Sequence, residues 1–402
     1  MLTLIRQSVD AVLQPLYRLK PASKRKKNIQ HLVLCDVRQQ NAGPLTRSWQ
    51  DGDHFSTWPG VTTSGDDVTE LYLTNRSISA LPSSVGFLSK HLTQLWLSDN
   101  RIATLPESFA NLRHLRCLWL ENNQLREFPA ELLYIIALEK LFMSGNDLQH
   151  LPEQIGQLTA LEWLDASNCN LTSVPPSLSE CQQLVHLQLH GNRLAELPGA
   201  LGALRNLVHL SLHRNALTSL PIGLGRLTQL LWLSLHSNQL VDIPPGTVGN
   251  MRELERLSLH VNRLTTLPDD LSRCDRLVAV SGFKNRLERL PGQLLSSWTS
   301  MTTLGLMKNR LSELPAEIAC MTSLRDLWLY ENCLTALPAV MPASLRRVWL
   351  ENNDLRDVAC LAACPELVKV CVYGNPLTRV PPELEACVVW TQENVRAGSS
   401  DG

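Results

Sequence analysis

Apolar and polar residues follow one short pattern that recurs along most of the chain. Fourteen units, most of them 23 residues apart, read approximately LxxLxLxxNxLxxLP before a second apolar stripe. Positions four to six of each unit, one polar residue between two leucines, have the period-two alternation of a half-buried strand. No single unit can bury both of its apolar stripes, so the units are predicted to stack on one another. The units begin at Val68, Leu92, Leu115, Leu138, Leu161, Leu184, Leu207, Leu230, Leu254, Leu277, Met301, Leu324, Leu345 and Leu367.

This repetition predicts an α/β repeat solenoid. One strand per unit, at roughly 4.8 Å spacing, would form a continuous parallel sheet, and the second stripe would form the opposite wall. Asparagine holds the ninth position of twelve units, where a short amide can satisfy backbone groups that no regular ladder reaches. Cys169 and Arg76 stand in its place in the other two. Proline after the fourteenth position is expected to end the ladder where no donor is needed.

Units such as "LPEQIGQLTALEWLDASNCNLTSVP" resemble the leucine-rich repeats of intracellular, Ras-group-like proteins, over residues 68 to about 385. The resemblance implies a horseshoe with the sheet on its concave face and a helical or irregular convex wall. "WPGVTTSGDDVTELYL", residues 58 to 73, looks like the Trp-x-Gly-Val cap of several plant-like and microbial leucine-rich proteins. The family further implies a binding scaffold, often in signalling, and leaves the partner open.

The pattern divides the chain into four parts. Residues 1–30 form a basic amphipathic segment, 31–67 an N-terminal cap region, 68–382 the repeats, and 383–402 a C-terminal cap around Trp390 with a flexible tail. The first segment carries seven basic side chains against one acid, with apolar residues at helical spacing. It is predicted to pack on the first repeats; peripheral contact with an anionic membrane through residues 1–27, or a targeting signal, are the alternatives.

Composition excludes several classes of function. Charge is balanced, with 37 Lys and Arg against 38 Asp and Glu, so nucleic acid is not an expected partner. No run of eighteen apolar residues occurs, and a cytoplasmic protein with mostly reduced cysteines is expected. We find no catalytic motif and predict neither an enzyme nor a cofactor. Cys360, Cys364, Cys371 and Cys387 are the best metal candidates, but the repeat register separates them, so no metal site is predicted.

Histidine recurs at the seventh position of four consecutive units, where it should form a column on the concave surface. Three interpretations remain open: a polar ladder left by repeat duplication, a recognition surface for an acidic or phosphorylated segment, or a transition-metal site. Close packing should keep the rings neutral at pH 7 and strengthen anion binding below about pH 6.5. The column comprises His190, His213, His236 and His260, with His186 and His209 at neighbouring third positions. The basic residues expected beside it are Arg214, Arg256, Lys284 and Lys308.

Aromatic residues occupy solvent-facing positions at both ends of the repeats. Exposed aromatic clusters carry much of the energy at protein interfaces, which favours partner contact over rings that merely pack along their own sheet. The first cluster is Tyr72, Trp96, Trp119, Phe142 and Trp163; the second is Phe283, Trp328, Tyr330, Trp349 and Tyr373. We therefore predict a scaffold or adaptor that binds a protein partner on its concave face. The alternative is a sensor of a small anion, metal or pH through the histidines.

Overall fold

The computed structural model describes residues 29–41, 45, 48–50, 53–378 and 380–389. Nearly all of the predicted amphipathic segment, together with Trp390 and the tail, lies outside these residues. The α-helices whose bounds are described are α1 at Ile29–Gln40 and α2 at Gly292–Ser297. No helix in this part of the chain is long and apolar enough to span a bilayer.

The strands of the described residues form one sheet of sixteen, ordered as they occur along the chain. Strand β1 pairs antiparallel with β2, and every later pairing is parallel. The strands are β1 Val61–Ser64, β2 Asp67–Tyr72, β3 Gln94–Trp96, β4 Cys117–Trp119, β5 Lys140–Phe142, β6 Trp163–Asp165, β7 His186–Gln188, β8 His209–Ser211, β9 Trp232–Ser234, β10 Arg256–Ser258, β11 Ala279–Ser281, β12 Thr303–Gly305, β13 Asp326–Trp328, β14 Arg347–Trp349, β15 Lys369–Cys371 and β16 Val388–Val389.

Each strand pairs with the equivalent residues of the next unit. Leu187 pairs with Leu210, and Leu210 with Leu233, so the fourth-position leucines stack into one buried row. The sixth-position residues, such as Leu189, are fully buried as well. The predicted parallel solenoid, with inward leucines flanking one outward residue, is therefore confirmed. Strand β16 continues the sheet one strand beyond β15, into the segment assigned to the C-terminal cap.

Short 3-10 helices form most of the opposite wall. Each usually follows a proline whose carbonyl accepts the first helical hydrogen bond, as Phe109 N–H donates to Pro106 O at 2.8 Å. Buried apolar residues such as Leu201 and Leu224 supply the second stripe of the core. The 3-10 helices span Phe55–Thr57, Ser83–Leu88, Glu107–Asn111, Ala130–Tyr134, Glu153–Gln157, Pro176–Glu180, Gly199–Ala203, Ile222–Arg226, Asp269–Arg273, Ala316–Cys320, Ala359–Ala363 and Pro382–Leu384.

The ninth-position asparagines join neighbouring units. Asn238 shows the arrangement: Oδ1 accepts from Leu217 N–H at 3.1 Å, and Nδ2 donates to Leu212 O at 3.0 Å and Leu235 O at 2.9 Å. Cys169 keeps only the donor half, because its thiol donates to Met143 O at 3.2 Å. The asparagines have the structural role that their position predicts, since each satisfies buried backbone groups of two successive units.

The N-terminal cap covers the first repeat with aromatic side chains. Trp58 is 2% exposed and stacks on Trp49 with ring centroids 5.0 Å apart. Gly60 has φ +87°, and a Cβ there would lie 2.4 Å from Tyr72 O, so the motif requires glycine. Asn41 joins the cap to the first unit, accepting from Ser79 N–H at 3.0 Å and donating to Ala80 O at 2.9 Å. The repeat core is thus closed at its N-terminal end.

Candidate functional site

Three columns of side chains form the surface of the sheet. They come from the third, fifth and seventh positions of each unit, because positions four and six point into the core. Successive units place equivalent residues one strand apart, so a residue type repeated at one position becomes a continuous row. The described structure therefore brings together side chains that lie about 23 residues apart in sequence.

Eight rings, here called the ring column, contact one another in series along this face; most pairs are stacked, and His186 meets His209 edge to face at 84°. Their successive centroids lie 3.8 to 5.5 Å apart. The column runs along the fifth position as far as Phe142, then moves to the third position at Trp163, where the planes tilt by 50°. The ring column consists of Tyr72, Trp96, Trp119, Phe142, Trp163, His186, His209 and Trp232. The guanidinium of Arg256 lies 4.9 Å from the Trp232 centroid and covers its far end.

The four seventh-position histidines form a second stack, the histidine column. Adjacent rings of His190, His213, His236 and His260 have centroids 4.2 or 4.3 Å apart and planes within 21° of each other. Phe283 continues the stack beyond His260 at 4.2 Å. These are the side chains that the sequence pattern placed in one column, and the structure brings them into direct contact.

A groove runs between the two columns in the middle of the sheet. Its floor is formed by the small fifth-position residues Ser211, Ser234 and Ser258, and its walls by imidazole and indole rings. The cavity has a volume of 550 Å³, and a further 330 Å³ continues over Ser281 and Gly305. The floor bonds to one wall, since Ser211 Oγ lies 2.9 Å from His213 Nδ1. The arrangement is an open trough that can hold an extended chain lying across the strands.

The histidines of both columns have lowered pKa values. Burial is the main cause, because it disfavours the charged ring, and neighbouring positive charges add to it. The pKa of His213 falls to about 4 through burial, His190, His236 and Arg214, and that of His260 falls to about 4 through burial, His236 and Lys284. The rings are neutral at pH 7, as expected. The lowered pKa values move protonation of these rings below their ordinary value of 6.5, and stronger anion binding in acid stays a prediction.

The stacked geometry also bears on metal binding. Imidazole lone pairs lie in the ring plane, so two rings stacked face to face direct them in parallel and cannot converge on one ion at 2.0–2.1 Å. Within the described part of the chain, no three His, Cys, Asp or Glu side chains are grouped to hold a metal ion. All eleven cysteines carry free thiols. The transition-metal interpretation of the histidine column therefore has no geometric support.

Three of the four predicted basic residues lie in turns rather than in strands. Arg214, Lys284 and Lys308 follow the seventh position with φ between 51° and 58°. Arg214 is close enough to lower the pKa of His190, His213 and His236. Lys308 pairs with Glu331 at 3.0 Å. The positive charges thus border the histidine column instead of standing within it.

The C-terminal aromatic residues form a different surface, because cations of the chain cover them. Trp328 and Trp349 have centroids 5.1 Å apart and are inclined by 30°. The guanidinium of Arg347 lies 5.8 Å, and the ammonium of Lys369 6.0 Å, from the Trp349 centroid. Lys308 lies 5.9 Å from the ring of Tyr330. These cation contacts make the C-terminal cluster chemically different from the N-terminal one, although the sequence pattern gave both the same role.

Sequence reasoning missed Trp232, and it placed Glu351 on the surface although that acid is enclosed. Trp232 ends the ring column and is 45% exposed; its third-position register, shared with His186 and His209, could have identified it. Glu351 lies at a seventh position but is only 2% exposed, accepts from the Cys371 thiol and leaves Oε2 without a partner. Burial raises the pKa of Glu351 to about 7. Nothing in the repeat pattern indicates that this acid would be enclosed.

Comparison with known proteins agrees with the repeat architecture. Residues 181–372 match the description "leucine-rich repeat region", and residues 66–125 and 160–181 match two further leucine-rich repeat descriptions. Comparison with curated proteins finds no significant match. A leucine-rich repeat protein of Leptospira interrogans is similar in structure, with TM-score 0.74 and 29% identity over 81% of this chain and 84% of that one.

Two more distant structures share the fold alone. The Arabidopsis receptor kinase HAESA, solved with the peptide hormone IDA and the co-receptor SERK1, has TM-score 0.69 and 23% identity over 89% of this chain and 66% of that one. An internalin of Listeria monocytogenes has TM-score 0.65 and 19% identity over 82% of this chain and 92% of that one. Leucine-rich repeat surfaces commonly serve as scaffolds for protein–protein interaction. From its repeats, its sheet and these likenesses, the chain belongs to the leucine-rich repeat proteins.

Proposed function

We propose that this protein is a cytoplasmic scaffold or adaptor in intracellular signalling, and that its groove holds an extended segment of a protein partner. The observation that carries the proposal is the serine-floored trough between the ring column and the histidine column. Third and seventh positions of one strand are about 13 Å apart at roughly 3.3 Å per residue, which is wide enough for an extended chain. No step in this activity requires catalysis or a cofactor.

The orientation of the rings favours a polypeptide over a planar ligand. Most ring faces in the groove are covered by neighbouring rings at 4.0 to 4.7 Å, for example His209 against Trp232, whereas His186 and His209 meet edge to face at 84°. What reaches the groove is therefore largely ring edges: indole edges are positive, and each neutral imidazole edge offers one N–H donor and one nitrogen acceptor. Backbone carbonyls, carboxylates and aromatic faces of a partner suit such edges. Sugars and bases that bind by stacking would find few uncovered faces there.

Two further features support a protein segment with acidic or phosphorylated residues. Arg256 stands exposed at the end of the ring column, and Arg214 and Lys284 are exposed beside the histidine column. Among proteins of the same fold, HAESA was solved with a peptide hormone, which is an analogy of fold and not of sequence. Contact of residues 1–27 with a membrane would add a second anchor.

A sensor that responds to pH or to a small anion is the second candidate. It is favoured by the six histidines of the two walls, which acid would charge together; because their pKa values are all lowered, the response would begin only below the ordinary value of 6.5. A sensor of this kind should respond to acid without any partner. The scaffold should bind its partner while the rings are neutral.

The test is affinity capture from native lysate with mass spectrometry. The wild type is compared with a variant carrying His190→Ala, His213→Ala, His236→Ala and His260→Ala, and with a His150→Ala control at an exposed turn. Circular dichroism first establishes that all three are folded. A protein retained by wild type and control but lost from the quadruple variant supports the scaffold. Identical capture by all three would contradict a role for the histidine column.

A further inference from the structure

Charge on the sheet surface is segregated along the solenoid. In the first five units, the third, fifth, seventh and eighth positions hold four acids and one cation. In the next six units, the same positions hold four cations and no acid. The first set is Glu70, Asp99, Glu121 and Asp165 with Lys140; the second is Arg214, Arg256, Lys284 and Lys308. The near-neutral total charge of the chain hides this separation.

The acids of the first set are held by neutral donors. Glu70 accepts from Tyr72 Oη at 2.9 Å and from Gln94 Nε2 at 3.1 Å. Asp99 accepts from Asn122 Nδ2 at 2.8 Å, and Glu121 accepts from Ser98 Oγ at 2.5 Å. Asp165 accepts from the backbone N–H of Ser167 at 2.9 Å. None of the four forms an ion pair within the described residues, so their charge is not neutralised by the chain.

The cations of the second set are mostly unpaired as well. Arg214, Arg256 and Lys284 form no ion pair among the described residues, and all three are exposed. Lys308, at the border with the next units, is the exception through Glu331. Burying a partner against either half would leave these charges uncompensated unless the partner supplied opposite ones. The surface therefore requires a partner whose own charge is segregated.

The shape of the surface changes within one unit of the change in charge. Over the first four units the fifth-position rings Tyr72, Trp96, Trp119 and Phe142 form a central ridge, with acids on both sides. From Trp163 onward the rings stand at the wall; the central position is Asp165 and then Gln188, and serines form the floor from Ser211. The acidic half is thus convex in cross-section and the basic half is concave, so a single occupant must pass from lying over rings to lying between them.

We propose that the occupant is one extended protein segment with two oppositely charged parts, a basic part over the aromatic ridge and an acidic part within the groove. This rests on the proposed function and names the chemistry of its partner. The third and eighth units are five strands apart, roughly 24 Å, which an extended chain covers in about seven residues. The two charged parts should therefore be centred about seven residues apart.

The experiment selects peptides from a random sixteen-residue phage library on the folded protein. The matched control is a charge-inverted variant carrying Glu70→Lys, Asp99→Lys, Arg214→Glu and Arg256→Glu, all at positions that are exposed or partly exposed. We expect wild type to enrich peptides with a basic and an acidic cluster about seven residues apart, in one fixed order. The inverted variant should enrich the opposite order. A wild-type peptide should bind the variant at least tenfold more weakly in fluorescence anisotropy.

The remaining outcomes distinguish a failure of the two-part segment from a failure of the proposed function. Enriched peptides without segregated charge, or an unchanged order on the variant, would overturn the two-part segment and leave the scaffold standing. If no peptide is enriched on wild type, the proposed function itself is contradicted. Binding of a random single-stranded oligonucleotide pool that is lost in the variant would assign the basic half to nucleic acid and overturn the inference.

Discussion

His260 stacks on Phe283 with ring centroids 4.2 Å apart and planes inclined by 12°. The phenylalanine occupies the register that histidine holds in the four preceding units, so the column accepts a purely apolar ring in the same place. Imidazole is therefore used here as a flat neutral ring. The lowered pKa of these rings is a consequence of that packing, because a charged ring would be desolvated and would face like charges on either side.

Mutation of the histidine column should change how stability depends on pH. Because the folded pKa values are lowered, the unfolded chain binds more protons below pH 6.5, and stability present above that pH is lost as pH falls toward about 4. The wild-type melting temperature should fall over this window more steeply than that of a variant with His190, His213, His236 and His260 changed to Asn. Differential scanning fluorimetry from pH 7.5 to 4 measures the melting temperatures. Parallel plots of melting temperature against pH for the two proteins would contradict the prediction.

Glu351 should act on stability with the opposite sign. Its pKa is raised to about 7, so the folded state keeps a proton that the unfolded chain has lost above its ordinary value. The stabilisation is complete at low pH and is lost as pH rises through about 7. Glu351→Gln should remove this alkaline loss, whereas Glu313→Gln, at an exposed acid, should not. Urea unfolding at pH 5.5 and pH 8.5 measures the free energy of unfolding of the three proteins. If it changes equally between the two pH values in wild type and Glu351→Gln, the assignment is refuted.

Replacing Cys169 with asparagine should stabilise the protein. Asn146 in the preceding unit accepts from Leu125 N–H at 3.0 Å, and an amide at residue 169 would offer the same acceptor to its neighbour. One recovered hydrogen bond is worth about 1 kcal/mol of unfolding free energy. Cys117→Asn, at a partly exposed third position, is the control and should stay within about 0.5 kcal/mol of wild type. A loss of stability in Cys169→Asn would show that the thiol is preferred there.

Two glycines of one 3-10 helix should differ sharply in their tolerance of alanine. A Cβ on Gly202 would lie 1.8 Å from Gly223 O, whereas one on Gly199 would meet only Pro221 Cβ at 3.8 Å. Gly202→Ala must push neighbouring wall segments apart, at a cost of about 1–3 kcal/mol or more. Gly199→Ala should be neutral or slightly stabilising, because it restricts the unfolded chain. Chemical denaturation of both variants checks this, and equal midpoints would contradict the close approach.

The sequence by itself determined the solenoid, its register and the identity of its core. Each unit packs only on its neighbours, so a 23-residue repeat leaves no long-range pairing to choose, and Leu187 must meet Leu210. The same reasoning placed His190, His213, His236 and His260 in one column. It also gave the asparagines a structural role, because a buried backbone without a ladder needs a short polar side chain at a fixed place.

Only the tertiary structure decided how the surface is shaped and charged. The shift of the ring column at Phe142 and Trp163, the serine floor between two walls and the enclosure of Glu351 depend on the volumes of side chains from adjacent units. The pKa of His213 depends on how deeply its neighbours bury it. A repeat pattern specifies which positions are neighbours, whereas packing among the actual side chains determines distance, exposure and charge.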